Sequence, residues 1–82
     1  MHFSILGLKQ ALWQGQAKQV VLPTDDGEIC VLDFHQPFLV SLTKGDIRFD
    51  AKEQNGILKK SITIKDGIAH MHGNELAVLV ET

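Results

Sequence analysis

Two histidines, His70 and His72, have the spacing in this sequence that most directly suggests chemistry. Residues two apart in a β-strand point to the same face of a sheet, so the two imidazoles could ligate one zinc or nickel ion. A catalytic zinc site needs three protein ligands and a structural site needs four, and no further ligand lies nearby in the sequence. The pair is therefore predicted to be solvent-facing or part of an interface, and a metal-binding protein built on it is kept as an alternative.

Three carboxylates are concentrated in the segment Asp25-Asp26-Gly27-Glu28. A calcium loop would need further oxygen ligands at alternating positions and a bidentate glutamate downstream, and the sequence has neither. Aspartate and glycine are common in turns because they tolerate unusual backbone angles and bond to their own backbone. The segment therefore predicts a turn, and no metal ligand is assigned to it.

His35 has a side chain that could act as a general base near neutral pH. The sequence places no convincing nucleophile with it, because Cys30 lies in an apolar run and is expected to be a buried, inert thiol. Ser41 and Ser61 lack any elbow or triad signature. His35 is expected to bond within its loop or to contact another subunit. We therefore predict a protein that is not an enzyme, with no catalytic residue and no cofactor.

The aromatic residues divide into a candidate for the core and a candidate for an interface. Trp13 is the sole tryptophan and is expected to anchor the core or a sheet edge. Phe34 and Phe38 flank His35, and a large apolar side chain exposed at a loop tip often marks a protein interface. Phe34 is therefore a candidate for contact with a partner.

Composition restricts the classes of protein that remain. The chain of 82 residues is long enough for one small domain, with 44% hydrophobic residues and a formal net charge of -2. Its mild acidity argues against a nucleic-acid binder, and no apolar run approaches the roughly 20 residues that span a bilayer. A single cysteine excludes an internal disulfide and fits a reducing compartment.

The elements that position these side chains are predicted to be strands. Turn residues recur at short intervals between runs rich in Val, Ile, Leu and Phe, which is typical of an all-β sandwich or barrel. One helical turn is conceivable over residues 8–13, but no helical stripe extends it. The predicted strands are residues 3–6, 17–22, 28–32, 38–42, 46–50, 57–64, 68–70 and 76–80, and together they form one domain over residues 1–82.

Two local patterns are more specific. Asn55-Gly56 suits a type I′ hairpin turn, since both central positions of that turn need a positive φ. Residues 76–80 are almost continuously apolar, which predicts a strand that is covered on both faces or packed centrally.

Several ordered motifs resemble one family. They are Leu12-Trp13-Gln14-Gly15, then Val21-Leu22-Pro23-Thr24-Asp25-Asp26-Gly27-Glu28-Ile29, then His35-Gln36-Pro37-Phe38-Leu39-Val40 and Lys44-Gly45-Asp46-Ile47-Arg48, followed by Asp66-Gly67-Ile68-Ala69 and Ala77-Val78-Leu79-Val80-Glu81. In this order the motifs resemble the N-terminal domain of the epsilon subunit of F-type ATP synthase, called delta in mitochondria. The resemblance covers essentially the whole chain.

The resemblance implies a fold and a role. The fold is a small β-sandwich or flattened barrel of about ten short strands. The role is that of a non-catalytic rotor subunit in the central stalk, which links the gamma subunit to the membrane c-ring and couples ion translocation to ATP synthesis. Its partners would be those two components, with no nucleic acid and no direct insertion into the membrane. It would be a monomer when isolated, and peripheral on the cytoplasmic side of the bacterial inner membrane within the complex.

The resemblance also indicates which residues meet the partners. Glu28 and His35 match family positions on loops at the end that faces the ring and the stalk, and Glu28 suits a charge contact with a basic loop. Pro37 matches the position after that histidine where a fixed φ would stiffen the loop. With the aromatic candidate, the expected interface is Glu28, Phe34, His35, Gln36 and Pro37.

The sequence departs from the family pattern at several positions and in length. Cys30 replaces a common glycine, Asp33-Phe34 replaces Pro-Gly, and Thr24 and Asp66 also stand where glycine is frequent. Family members continue into a linker and a C-terminal helical hairpin, so the resemblance implies a fold without that hairpin over these residues. A stand-alone β-sandwich that binds a small ligand or another protein is the alternative function, because a fold does not determine a function.

Overall fold

The computed structural model describes all 82 residues and contains eight β-strands and no helix. None of its elements is therefore a helix that could cross a bilayer. The strands are β1 (His2–Leu6), β2 (Ala11–Thr24), β3 (Gly27–Leu32), β4 (Phe38–Leu42), β5 (Gly45–Glu53), β6 (Gly56–Ile64), β7 (Asp66–His72) and β8 (Glu75–Glu81). The predicted all-β fold is confirmed.

Strand β2 joins two sheets because it is long enough to belong to both. Its first half pairs with β1, and its second half lies between β3 and β5. The register with β5 shifts between Ala17 and Gln19, where the strand passes from one sheet to the other. The first sheet has the order β4-β7-β8-β1-β2 and the second the order β3-β2-β5-β6, and all pairs except the parallel pair of β1 and β8 are antiparallel.

The core lies between the two sheets and contains 17 buried hydrophobic residues. Alternation along β5 supplies part of it, since Ile47, Phe49 and Ala51 are buried while the residues between them face outward. The rings of Phe3 and Phe49 meet edge to face with centroids 5.0 Å apart, and Trp13 lies 4.7 Å from Phe49. This aromatic cluster connects the two sheets, as expected for a core tryptophan.

The strand count and the start of the second strand correct the expectations from the sequence. The structure has eight strands, as many as the sequence patterns predict and fewer than the about ten that the resemblance implies, and residues 11–24 form one continuous strand. The predicted second strand began only at residue 17, and the conceivable helical turn at residues 8–13 does not form. Instead, the Gly7 amide donates to the Gln10 carbonyl in a turn, and the following residues start β2.

Strand β8 occupies the middle of its sheet but is covered on one face only. Leu76, Val78 and Val80 point into the core, whereas Leu79 is 57% exposed. Of the two alternatives predicted for this strand, the structure shows the central position and not cover on both faces. Nothing in the chain packs over the outer face of this sheet at Leu79, so that an apolar side chain there remains in contact with solvent.

The type I′ turn occurs at a different dipeptide from the predicted one. Gly73 and Asn74, which join β7 to β8, have φ values of 58° and 57°, the positive values that this turn requires. At the predicted site the central residues are Gln54 and Asn55, and only the following Gly56 has a positive φ, of 127°. The side chain of Asn74 in this tight turn contacts the connection between β3 and β4.

Candidate partner-binding site

The four contiguous candidates, Phe34, His35, Gln36 and Pro37, form the exposed connection between β3 and β4. Phe34 is the most prominent of them because its side chain is 80% exposed. Its backbone has a φ of 60°, in the left-handed region that bulky residues rarely adopt. This loop therefore presents an aromatic ring to solvent on a backbone that the surrounding structure must hold in place.

Hydrogen bonds from two successive backbone amides hold the loop at Phe34 and at the residue after it. The amide of Phe34 donates to Oδ1 of Asn74 at 2.7 Å, and the amide of His35 donates to the carbonyl of Leu32 at 3.2 Å. Asn74 lies 40 residues further along the chain, in the turn between β7 and β8. The sequence predicted no contact between these two segments, although a Gly-Asn dipeptide such as Gly73-Asn74 is typical of a tight turn.

The residue before Phe34 is fixed by the amino terminus. The ammonium group of Met1 is buried, donates to the carbonyl of Ala17 at 3.0 Å and forms an ion pair with the carboxylate of Asp33. The hydrogen bond from that ammonium holds the pKa of Asp33 below its ordinary value, with a smaller contribution from the charge of Lys52. The start of the loop is thus tied to the buried end of the chain.

This ion pair gives the stability a dependence on acid. Because the pKa of Asp33 is lower in the folded chain than its ordinary value of 3.8, its stabilising contribution is present at neutral pH. It is lost as the pH falls through the folded pKa, below about 4. We expect Asp33→Asn to be less stable than the wild type at pH 7 in urea unfolding. The difference should shrink at pH 3, and a constant difference across this range would contradict the assignment.

His35 makes the contacts of a loop residue. Its Nδ1 lies 3.0 Å from the carbonyl oxygen of Gln36, which can only accept, so Nδ1 carries the proton in this bond. The imidazole also meets the ring of Phe38 edge to face, with centroids 5.3 Å apart.

Cys30 is exposed, so the expectation of a buried thiol is wrong. Side chains alternate along β3, and Cys30 therefore points away from the core into which its neighbour Val31 points.

Glu28 lies apart from the other four candidates. It stands at the start of β3 and they follow its end, and the strand from Glu28 to Leu32 spans about 13 Å at the usual rise. Its Oε1 accepts a bond from Nη2 of Arg48 at 2.7 Å, and both side chains are about half exposed. An exposed pair of this kind contributes only about 0–1 kcal/mol, so the carboxylate remains able to exchange partners.

The histidine pair has the predicted orientation. The rings of His70 and His72 are stacked at an angle of 21° with centroids 6.2 Å apart, on the exposed face of β7. Glu75 stands opposite His72 in the next strand. No group of three or more metal-ligating side chains in the structure lies close enough to hold an ion.

A cleft of about 420 Å³ is on the outer face of the second sheet. It is lined mainly by polar and charged residues of β2, β5 and β6, including Arg48, Asp50 and Lys59. Since Lys59 and Asp50 already pair across it at 3.4 Å, its charges are partly neutralised within the chain. It is not the closed apolar pocket with converging polar groups that the small-ligand alternative requires.

Comparison with known proteins identifies the family to which this chain belongs. The family model described as the beta-sandwich domain of the ATP synthase delta/epsilon chain matches residues 1–82. The chain is 29% identical over 82 residues to the ATP synthase epsilon chain of Alkalilimnicola ehrlichii, covering 100% of this chain and 56% of that protein. It is 31% identical over 81 residues to the chloroplastic epsilon chain of Chlamydomonas reinhardtii, covering 96% and 57%. The chain thus spans little more than half the length of these relatives.

Solved structures share the fold at lower identity. A chain in the central stalk and c-ring structure of the Tetrahymena thermophila mitochondrial ATP synthase superimposes with a TM-score of 0.83 at 12% identity, covering 100% of this chain and 63% of that one. A chain of the Euglena gracilis mitochondrial ATP synthase has a TM-score of 0.86 at 18% identity, covering 98% and 49%. The sandwich built on the long strand β2 therefore matches that of these ATP synthase chains.

Proposed function

Because this chain belongs to the β-sandwich domain family of the ATP synthase delta and epsilon chains, we propose that it is a rotor component of an F-type ATP synthase. In this role it links the gamma subunit of the central stalk to the c-ring and couples ion translocation to ATP synthesis. The observation that carries the proposal is the match of the family model over residues 1–82. The superposition on chains of two ATP synthase assemblies supports it.

The proposed role is one of binding, without catalysis. The candidate loop offers an exposed aromatic ring beside His35 and Pro37, which suits a protein interface better than a reaction centre. Glu28, at the other end of β3, would make a separate polar contact. We therefore propose a peripheral subunit of a membrane-associated complex, on the cytoplasmic side of the membrane in a bacterium, with the gamma subunit as the partner of the aromatic loop.

The first test is a calorimetric titration of this chain with the gamma subunit of the same organism. Saturable binding of one chain per gamma subunit is the expected result. A folded β domain that shows no binding would overturn the proposed function, and the fold would then be the only property shared with the family.

Phe34→Ala is expected to weaken binding to the gamma subunit about tenfold or more, because truncation of an exposed aromatic anchor removes its contact area from the interface. The fold should be unaffected, since the side chain is 80% exposed and packs on nothing in the core. Dissociation constants from calorimetry would measure the effect. Leu58→Ala, on the exposed edge strand β6, is the matched control and should leave the affinity unchanged. Equal affinities for all three chains would exclude Phe34 from the interface.

A further inference from the structure

We propose that Asn74 is a positioning residue for the partner-binding loop, which it holds in the conformation that contacts the gamma subunit. It lies in the turn between β7 and β8 rather than in the loop itself. The inference rests on the proposed function, because it concerns the same interface. It adds a residue, 40 positions away from Phe34, whose side chain would set how Phe34 and His35 are presented.

The first observation is the backbone conformation on both sides of the contact. Phe34 has a φ of 60° and Asn74 a φ of 57°, so both occupy the left-handed region. Asparagine tolerates this region, whereas a bulky aromatic residue adopts it only where other contacts impose it. The bond of 2.7 Å from the Phe34 amide to Oδ1 of Asn74 is such a contact. Without it, the Phe34 backbone would relax toward the more populated regions, and the ring would leave its present direction.

The second observation is that Asn74 is itself firmly placed. Its backbone belongs to a two-residue turn between two strands that pair along their whole length. Its carbonyl accepts a bond from the amide of His2 at 3.2 Å, which ties the turn to β1. The side chain that binds the loop therefore projects from a rigid hairpin, and it can fix the loop rather than move with it.

A preset loop improves binding because a loop that must become ordered on association reduces affinity. Asp33 is already fixed by the Met1 ammonium on one side of Phe34, and His35 by the Leu32 carbonyl on the other. The hydrogen bond to Asn74 fixes Phe34 itself, between these two residues. Loss of one such hydrogen bond should weaken binding to the gamma subunit about three- to tenfold.

The test uses two substitutions of Asn74 that leave the turn intact. Asn74→Gly removes the side-chain acceptor while glycine keeps the positive φ, and Asn74→Asp keeps both an acceptor oxygen and tolerance of that φ. Asn55→Gly, in the exposed turn between β5 and β6, is the matched control. Each chain would be titrated with the gamma subunit by calorimetry, and amide hydrogen exchange would report on Phe34 in the free chain.

The expected pattern is a three- to tenfold weaker affinity for Asn74→Gly, near wild-type affinity for Asn74→Asp and no change for Asn55→Gly. Exchange at the Phe34 amide should accelerate only in Asn74→Gly. In a Phe34→Ala background, the effect of Asn74→Gly should become smaller, because the ring that it positions is gone.

Wild-type affinity for Asn74→Gly would overturn the positioning role while leaving the proposed function standing. The absence of binding by the wild-type chain would instead overturn the proposed function. In that case unchanged exchange at Phe34 in Asn74→Gly would show that Asn74 does not hold the loop either.

Discussion

Phe49→Ala is expected to lower the free energy of unfolding by about 3–5 kcal/mol, the largest effect of any substitution considered for this chain. Phe49 is buried and its ring contacts both Phe3 on the opposite sheet and Trp13. Truncation removes these contacts and leaves a cavity between the two sheets, which a stiff sandwich can fill only in part. Since small domains are stabilised by about 5–15 kcal/mol in total, this loss is a large fraction of the stability of the chain.

Urea unfolding followed by the fluorescence of Trp13 would measure this effect, because the sole tryptophan lies against the substituted ring. Phe34→Ala provides the same chemical change at an exposed site and is expected to alter stability by less than about 0.5 kcal/mol. Similar losses for the two variants would mean that Phe49 does not link the sheets as described.

Gly67→Ala is expected to destabilise the fold by about 1–3 kcal/mol, although the added group is a single methyl. A Cβ at this position of β7 would lie 2.6 Å from the backbone carbonyl oxygen of Leu79 and 3.0 Å from a methyl of Val80. The oxygen belongs to the central strand β8 and cannot move without disturbing its pairing with β1. The neighbouring strands must therefore separate locally, which weakens the ladder between β7 and β8.

The midpoint of thermal unfolding would reveal this clash, with Gly7→Ala as the control. A Cβ at Gly7 would meet its nearest neighbour, the Gln10 carbonyl oxygen, at an ordinary 3.4 Å. We expect Gly7→Ala to unfold near the wild-type temperature and Gly67→Ala several degrees lower. A midpoint for Gly67→Ala equal to that of the wild type would show that β7 and β8 do not approach this closely.

Local pattern predicted most of the strands because burial in a sandwich alternates with every residue. The segment from Asp46 to Asp50 alternates polar and apolar residues, and the structure buries Ile47 and Phe49 as expected. The first half of β2 was missed because Gln14, Gly15 and Gln16 carry few apolar side chains. Its pairing with β1 compensates through backbone bonds and through the Trp13 ring, which covers the glycine, and neither effect leaves a local pattern.

The place of four candidate residues between two strands could be predicted from the sequence, whereas their role at an interface stays a prediction. The run from Phe34 to Pro37 could be identified as a loop, because it falls between the strands predicted at residues 28–32 and 38–42 and matches loop positions of the family. The contact of this loop with Asn74 could not be predicted, since it joins segments 40 residues apart and depends on how the connection between β3 and β4 meets the hairpin of β7 and β8. The separation of Glu28 from this loop, in contrast, follows from the strand predicted at residues 28–32, because that strand begins at Glu28 and ends before the loop.

The parallel pairing of β1 with β8 has a consequence for the kinetics of folding. His2 stands opposite Glu75 and Leu6 opposite Leu79, so a ladder in the middle of the first sheet joins residues more than 70 positions apart. Contacts so distant in sequence slow folding, because a long chain must close on itself before they form. During synthesis, β1 and β7 have no β8 between them until the ribosome has produced residues 75–81. Until then the nascent chain carries two incomplete sheet edges, which are the surfaces through which unfinished β proteins associate.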